Sequence, residues 1–271
     1  MLELMYITNN PDVAVIAQRY GVDRIFVDME YIGKDKRQGG MDTVQNHHTV
    51  QDVRNIKSVL TSSKLQVRIN PFYEGTENEV NSVIEAGADI IMLPMWKTAE
   101  EVSRFISLVN GRAKTLLLLE NTDAMNCLDE VLELDGVDEI HIGLNDLHLS
   151  MGKKFLFELL ADGTVEKITI KIAETDIPYG FGGFGRIGYG FLPADYIVAE
   201  HYRLGSSMSI LSRAFCNTNV FTEKEEIEYI FKNGMKDLRS YEEFLKTCDE
   251  NYFDETHKKL CACVEKIVGE M

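Results

Sequence analysis

Short apolar runs alternate with amphipathic segments over most of the chain. The runs are rich in Ile, Leu, Val and aromatic residues and end at polar residues or glycine, as buried β-strands do. They predict eight strands, at residues 2–8, 24–28, 65–70, 89–93, from Leu116 onward, 139–143, 177–181 and 204–208.

The segments between these runs carry apolar residues every three or four positions, which is the period of an amphipathic helix. Helices are predicted at residues 11–20, 50–60, 77–86, 99–109, after Glu120, at 155–174 and at 194–201. Alternation of strands and helices implies parallel pairing with right-handed crossovers, and eight such units favour a closed (β/α)8 TIM barrel. A doubly wound open sheet is the alternative, although it usually has fewer repeats.

Two amphipathic segments, 221–244 and 255–268, follow the last predicted strand and have no strand after them. The chain is therefore divided into a barrel domain at 1–215 and a C-terminal helical extension at 216–271. The extension is expected either to cap the barrel floor or to contact a neighbouring subunit, and the second is favoured.

Two carboxylates follow neighbouring predicted strands between Leu116 and Gly152. Glu120 ends a run of four leucines, and Asp146 comes just after the strand at 139–143. Because neighbouring parallel strands lie about 4.8 Å apart, both side chains are expected at the same rim. Such a pair is a natural place for a divalent metal ion. Two loop carboxylates without a ligand are the alternative interpretation.

In a barrel of this kind, function belongs to the C-terminal ends of the strands. The second strand ends in Asp28 and Glu30, and the third contains Arg68, whose guanidinium matches a carboxylate bidentately. The remaining rim positions are a glycine-rich loop at 180–190, Ser206, Ser207 and Arg213.

Composition and net charge argue against several classes of function. A net charge of −16 argues against a nucleic-acid or anionic-membrane surface. The five cysteines form no CxxC pair, so a disulfide framework or a structural zinc site is not expected. Neither a secretion signal nor a membrane-spanning run is recognised, and a cytoplasmic location is expected.

Four stretches in consistent order resemble the HpcH/HpaI aldolase and citrate lyase β-subunit family. They are VRINPF (67–72), GADIIMLPMWKTAEEV (87–102), LLENTDAM (118–125) and DGVDEIHIGLNDLHLSMG (135–152), while VDME (27–30) is similar to the family's IDLE. The resemblance implies a TIM barrel, usually a homo-oligomer (trimer or hexamer), and a divalent ion (Mg²⁺, Mn²⁺ or Co²⁺) that binds a 2-oxo acid such as pyruvate.

The resemblance also implies roles for individual residues. Glu120 and Asp146 would be the metal ligands, and Arg68 would hold the oxygens of the 2-oxo acid and of the enolate formed from it. The backbone N–H groups around Leu144, Asn145 and Asp146 would hold the substrate carboxylate. Asp28 and Glu30 would lie near the site as water-positioning or supporting groups.

One departure from the family concerns the base. The aldolase branch has a histidine after the glutamate of IDLE and the lyase branch an aspartate, whereas this chain has Tyr31. The long loop at 31–49 supplies the other basic groups, which are Lys34, Lys36, Arg37, His47 and His48. His48 is the candidate replacement base, because the pKa of imidazole lies near 6.5. The alternative is that the paired histidines only open the next helix.

Position along the predicted strands indicates where three further side chains lie. Trp96 follows the fourth strand and is expected at the mouth of the pocket. His141 lies within the sixth strand and is expected to be packed, whereas His148 is expected near the rim.

The favoured function is a metal-dependent carbon–carbon lyase (aldolase) that joins a 2-oxo acid to an aldehyde, possibly sugar-derived. The basic residues of the loop at 31–49 make a phosphate or an acidic sugar a reasonable second substrate. Citrate-lyase-like cleavage of an acyl-thioester is one alternative. A barrel that binds a 2-oxo acid without turning it over is another, and Tyr31 keeps it open.

Overall fold

A computed structural model shows eight parallel strands that pair in chain order, with the eighth closing on the first. The structure describes residues 1–34 and 48–271. The strands are β1 (Glu3–Ile7), β2 (Arg24–Asp28), β3 (Lys64–Arg68), β4 (Ile90–Leu93), β5 (Lys114–Leu119), β6 (Glu139–Ile142), β7 (Tyr179–Phe184) and β8 (Met208–Leu211). The (β/α)8 TIM barrel predicted from the alternation is confirmed.

Helices surround the barrel and connect its strands. Within the described residues they are α1 (Pro11–Arg19), α2 (Val50–Val59), α3 (Thr76–Glu85), α4 (Ala99–Val109), α5 (Thr122–Asn126), α6 (Leu128–Leu132), α7 (Leu144–Ser150), α8 (Glu158–Ala161), α9 (Thr164–Ala173), α10 (Ala194–Arg203), α11 (Lys224–Leu245) and α12 (Glu250–Glu270).

Local sequence signals explain where the first helices begin. The Asn10 side chain accepts the N–H of Asp12 at the start of α1, and Pro11 stands in the first turn, where its missing N–H costs nothing. Thr49 and Asp52 form a reciprocal capping box at the start of α2.

The two faces of the strands pack into two separate layers. Inward-facing side chains fill the barrel, and they are Met5, Phe26, Ile90, Met92, Leu116, Leu118 and Met208. Outward-facing neighbours such as Ile25, Ile91 and Leu117 pack against the helices in a larger outer core. This inside–outside alternation, with a period of two residues, decides which residues at a strand end point into the barrel.

Charged side chains meet inside the barrel at its lower end, which is the amino-terminal end of the strands. Arg24 is fully buried and donates to both carboxylate oxygens of Glu139 and to Glu3. Lys114 also donates to Glu139, at 3.1 Å. These contacts join β1, β2, β5 and β6 across the barrel axis at the end opposite to the rim.

The last part of the barrel departs from the prediction. The strand predicted at 204–208 instead runs from Met208 to Leu211, because α10 continues to Arg203 and the chain turns at Gly205, with a φ of 68°. Ser206 and Ser207 therefore precede β8, and Ser206 contacts His201 at the lower end of the barrel. Their predicted place at the C-terminal rim is wrong.

Two glycine-bearing regions also differ from the prediction. Strand β7 continues to Phe184, so that Gly180, Gly182 and Gly183 belong to the strand rather than to the loop predicted at 180–190. The helix predicted at 155–174 is two helices, interrupted by Gly163, whose φ of 76° suits glycine.

The C-terminal helices pack along the outside of the barrel. Helix α11 lies beside α1, and Phe231 places its ring edge-on to Tyr6, with 5.0 Å between centroids. Helix α12 lies beside α10, where Leu260 and Val264 are buried. The division into domains at residue 216 stays a prediction. Across residues 1–34 and 48–271, no helix has the length and apolar character needed to cross a membrane.

Glu139→Leu should lower the free energy of unfolding by about 3 kcal/mol, because it removes the main counter-charge of the fully buried Arg24. Urea denaturation measures this. Lys64→Met is the control, because the half-exposed Lys64–Glu3 pair should contribute less than about 1 kcal/mol. Equal losses in the two variants would contradict the assignment.

Candidate active site

A cavity of about 440 Å³ opens at the carboxyl end of the barrel strands. Its floor is apolar and consists of the inward-facing side chains Phe26, Met92, Leu118 and Ile210. Among the described residues, the acidic, basic and histidine side chains that line it are Asp28, Lys34, His48, Arg68, Glu120, His141, Asp146 and Arg213. The cavity therefore brings together residues from all eight strands, which are far apart in sequence.

The arginine of β3 is fixed by the aspartate of β2. Asp28 and Arg68 are direct partners in the register of the two strands. Arg68 Nε donates to one carboxylate oxygen of Asp28 and Nη2 to the other, each at 2.8 Å. This fork-like pair holds the guanidinium plane in one orientation at the cavity wall.

A lysine completes the cluster around this pair. Lys34 is buried, lines the cavity and donates from Nζ to Asp28 Oδ2 at 2.9 Å. Glu30 does not line the cavity but lies beside this cluster, with Oε2 at 3.3 Å from Arg68 Nε and 4.0 Å from Lys34 Nζ. The sequence predicts Lys34 only as one basic loop residue, although its spacing of four from Glu30 is that of an ion pair on one helical turn.

The surrounding charges shift the pKa values of the pair. Burial alone would raise the pKa of the Asp28 carboxyl, but Arg68 and Lys34 outweigh it and hold that pKa well below its usual range. Burial opposes the charge of Arg68, whereas Asp28, Glu30 and Glu120 raise its pKa well above the ordinary value. Both groups are therefore charged at any physiological pH.

Glu120 and Asp146 lie at the same cavity, as the sequence predicts. Glu120 follows β5, is buried, and accepts the N–H of Met95 at 3.1 Å. Asp146 lies in the first turn of α7, a helix that the apolar pattern does not predict. Met95 has a φ of 53°, a conformation that non-glycine residues rarely adopt and that clusters at functional sites.

Gly143 lets the Glu120 carboxylate lie directly against the chain that leads into Asp146. A Cβ at this position would lie 3.0 Å from Glu120 Oε2 and 2.9 Å from Glu120 Cβ, so that only glycine allows the carboxylate to rest against the backbone that leads into Asp146. The cradle and the two oxygen donors fit an ion such as Mg²⁺, which is commonly held by one or two carboxylates with water and substrate oxygens completing its shell. Within residues 1–34 and 48–271, no group of three or more His, Cys, Asp or Glu could hold a metal.

His48 also lines the cavity, and its ring has a defined hydrogen bond. Its Nδ1 accepts the backbone N–H of Asp28 at 3.0 Å. Burial lowers the pKa of His48 below its ordinary value, although Asp28 and Asp52 oppose the shift. The neutral ring therefore carries its proton on Nε2 and offers a donor rather than a lone pair.

The structure also shows where four other residues of the predicted site lie. Leu144 and Asn145 line the cavity. His141 is fully buried at the cavity floor, and burial lowers its pKa to about 4 even though Nε2 is 3.0 Å from the carbonyl oxygen of Gly182. Trp96 is fully buried in the outer core, so its predicted place at the pocket mouth is wrong.

The structure also shows where Tyr31, at the family's position for the base, and His148, expected near the rim, lie. Tyr31 is 59% exposed and does not line the cavity. His148 is buried and packs its Nδ1 against the carbonyl oxygen of Leu144. Lys36, Arg37 and His47 lie outside the described residues.

Asp28→Asn should lower the free energy of unfolding by about 3 kcal/mol at pH 7, because it removes the nearer of the two carboxylates that Arg68 and Lys34 share. The carboxyl pKa is lowered by folding, so its stabilisation is complete above the unfolded value of 3.8 and is lost as the pH falls toward the folded value.

The difference between wild type and Asp28→Asn should therefore be smaller at pH 3 than at pH 7, as measured by urea denaturation at both. The exposed Asp129, changed to Asn, is the control. A difference that stays constant with pH would contradict the charge-based explanation.

Comparison with known proteins places the chain in a family. The HpcH/HpaI aldolase/citrate lyase family matches residues 3–158. The 2-keto-3-deoxy-L-rhamnonate aldolases of Escherichia coli and Klebsiella pneumoniae are each 24% identical over 170 residues, which cover 52% of this chain and 58% of theirs. The chain thus matches little more than half the length of these curated relatives.

Solved structures show the same fold. An HpcH/HpaI aldolase from Desulfitobacterium hafniense aligns with a TM-score of 0.62 and 16% identity, over 84% of this chain and 93% of its own. The citrate synthase SbnG aligns with a TM-score of 0.58 and 14% identity, over 82% and 93%. On the match over residues 3–158, this chain belongs to the HpcH/HpaI aldolase/citrate lyase family.

Proposed function

We propose that the protein is a carbon–carbon lyase of the class II aldolase type, which makes or breaks a bond to the methyl carbon of pyruvate or a related 2-oxo acid. The second substrate is an aldehyde. The observation that carries the proposal is the oriented guanidinium of Arg68, which shares one cavity with Glu120 and Asp146. Membership of the family supports the reaction class.

Glu120 and Asp146 would hold a divalent ion, which we propose to be Mg²⁺, Mn²⁺ or Co²⁺. The bound ion would act as a Lewis acid toward the keto and carboxylate oxygens of the 2-oxo acid. The hydrogen bond from Met95 and the cradle at Gly143 fix the Glu120 carboxylate before any ligand arrives. Such preorganisation removes the cost of orienting the ligand during the reaction.

Arg68 would bind the oxygens of the 2-oxo acid and stabilise the negative charge of its enolate. Two of its five N–H donors are taken up by Asp28, and no described residue accepts a hydrogen bond from Nη1. Asp28, Glu30 and Lys34 act through Arg68 by fixing its position and its charge. The backbone N–H groups of Leu144, Asn145 and Asp146 would hold the substrate carboxylate.

The apolar floor strengthens these interactions. Phe26, Met92 and Leu118 line the floor of the cavity with apolar side chains. A lower local dielectric there would increase the attraction between Arg68 and an enolate oxygen. Arg68 also lies over the Phe26 ring, at 5.6 Å from its centroid, which supports the guanidinium from below.

His48 would act on the aldehyde half of the reaction. The sequence predicts it as the base, but its Nδ1 lone pair already accepts the Asp28 N–H. A neutral imidazole with a proton on Nε2 stabilises a developing alkoxide by hydrogen bonding instead. We therefore propose His48 as a donor to the aldehyde oxygen.

The proposed assembly and location rest on the family resemblance alone. We propose a homo-oligomer, trimeric or hexameric, that works in the cytoplasm on small molecules and binds neither nucleic acid nor membrane. The net charge of −16 suits that environment.

Pyruvate methyl protons should exchange with D₂O in the presence of Mn²⁺ or Mg²⁺, because Arg68 and the metal ligands would stabilise the enolate. Glu120→Gln should slow this exchange on the order of 100-fold. Proton NMR follows the exchange, and Mn²⁺ binding is measured in parallel by electron paramagnetic resonance. The exposed Glu130, changed to Gln, is the matched control. Exchange that survives Glu120→Gln, or wild type that binds no metal, would refute the proposal.

His48→Ala should lower kcat/KM for aldol addition by about 10- to 100-fold, and His48→Asn should recover part of the loss, because an amide N–H can replace the ring donor. Since the pKa of His48 is lowered, wild-type kcat/KM should show no limb from this residue between its ordinary pKa of 6.5 and pH 8. A limb in that range that disappears in His48→Asn would instead identify His48 as the base.

A further inference from the structure

A cysteine, a histidine and a glutamate are in contact outside the barrel, where α12 packs against α10. Cys261 and His257 lie four residues apart on α12, which places both side chains on one face of that helix. Glu200 lies on α10. None of the three lines the active-site cavity, and the proposed aldol reaction gives them no role.

The glutamate of this cluster is held by an arginine of its own helix. Glu200 is 1% exposed and accepts from Arg203 Nε at 3.0 Å and from Nη2 at 2.9 Å. Arg203 Nη1 donates to Glu166 of α9 at 2.7 Å. The Glu200 carboxylate is therefore charged and fixed in position between two helices.

The imidazole joins this carboxylate to the thiol through its two nitrogens. His257 Nδ1 lies 3.0 Å from Glu200 Oε1, and His257 Nε2 lies 3.4 Å from Cys261 Sγ. Because an ionised carboxylate can only accept a hydrogen bond, Nδ1 carries the proton of the neutral ring. The lone pair of Nε2 therefore faces the thiol, in the order of nucleophile, base and orienting group that activates a cysteine.

The thiol needs such a base. Cys261 is partly exposed, so a small molecule in solution can reach its sulfur. Burial and the charge of Glu200 raise the pKa of this thiol, although Arg203 opposes them. Cys261 thus keeps its proton at rest, and His257 must remove it while the sulfur forms a new bond.

The same contacts exclude a metal ion shared by the three side chains. Cys261 and Glu200 lie at different nitrogens of one ring, so their sulfur and oxygen atoms cannot converge with it on a single ion. In agreement, residues 1–34 and 48–271 contain no group of three or more His, Cys, Asp or Glu that could hold a metal. The cluster is therefore suited to nucleophilic chemistry.

The groups around the sulfur favour one class of electrophile. Cys261 Sγ also lies 3.7 Å from the carbonyl oxygen of Ala161, and Glu200 adds a negative charge. Attack on an acyl carbon would form an oxyanion, which needs donors rather than these acceptors. Attack on a disulfide places the negative charge on the departing sulfur instead, where the proton taken by His257 can neutralise it.

We propose that Cys261, His257 and Glu200 form a thiolation site, at which Cys261 reacts with a low-molecular-weight disulfide. His257 Nε2 takes the thiol proton as Sγ attacks one sulfur of the disulfide. The bond from Sγ to that sulfur forms, the S–S bond of the disulfide breaks, and the departing thiolate takes the proton from His257. Cys261 is oxidised to a mixed disulfide and the other half of the reagent is reduced to a thiol. This site is independent of the proposed aldolase function.

Thiol–disulfide exchange in the intact protein tests the site. Glutathione disulfide is the probe, and tandem mass spectrometry after acid quenching follows each cysteine. Cys261 should react at least tenfold faster than Cys263, which is also partly exposed on α12 but contacts the carbonyl oxygen of Phe191. Equal rates, or a faster reaction at Cys263, would overturn the proposal.

His257→Gln should lower the rate at Cys261 at least tenfold and leave the rate at Cys263 unchanged, because only Cys261 loses its base. The unchanged rate at Cys263 also shows that α12 remains folded. Lys258→Gln is the matched control, since it removes an exposed positive charge from the same helix and should preserve the ratio of the two rates. An unchanged Cys261 rate in His257→Gln, or an equal fall in Lys258→Gln, would refute the role of the base.

Glu200 acts through His257, and the tautomer of the ring reports this. Nitrogen-15 NMR of histidine-labelled protein, at a pH where the ring is neutral, should show His257 protonated on Nδ1. Glu200→Gln should shift the ring toward the Nε2–H form that free histidine favours and slow the reaction at Cys261. A wild-type ring protonated on Nε2 would contradict the proposal, because that nitrogen could not take the thiol proton.

Discussion

The buried ion pair of Asp28 and Arg68 is the interaction on which the site depends. Taking two charges out of water costs several kcal/mol for each ion, and the cost is offset only if the geometry is good and further hydrogen bonds are made. Here Asp28 accepts two bonds from Arg68 and one from Lys34. The pair can form because β2 and β3 are in register at these residues.

The remainder of the cavity is arranged around this fixed cation. Glu120 and Asp146 lie on neighbouring strand ends, where Gly143 allows their segments to approach, and the apolar floor lies beneath all three charged groups.

Much of this could be predicted from the chain because its signals are local. The alternation of apolar runs with amphipathic segments identified the barrel, and strand ends that carry Asp28, Arg68 and Glu120 pointed to the rim. The predictions failed where glycine or a helix end changed the chain path. At Gly205 the turn delays β8, so Ser206 and Ser207 lie at the other end of the barrel, and at β7 the glycines remain within the strand.

By itself the sequence determined the number and order of the strands, the family, and which residue types stand at the strand ends, because these depend on short-range pattern and spacing. Only the tertiary structure decided which atoms meet. It placed the Nδ1 of His48 against the Asp28 N–H, so that this histidine presents a donor, and it buried Lys34 beside Asp28. It also brought Arg213 to the cavity that holds Arg68, because a closed barrel sets the first and last strands side by side.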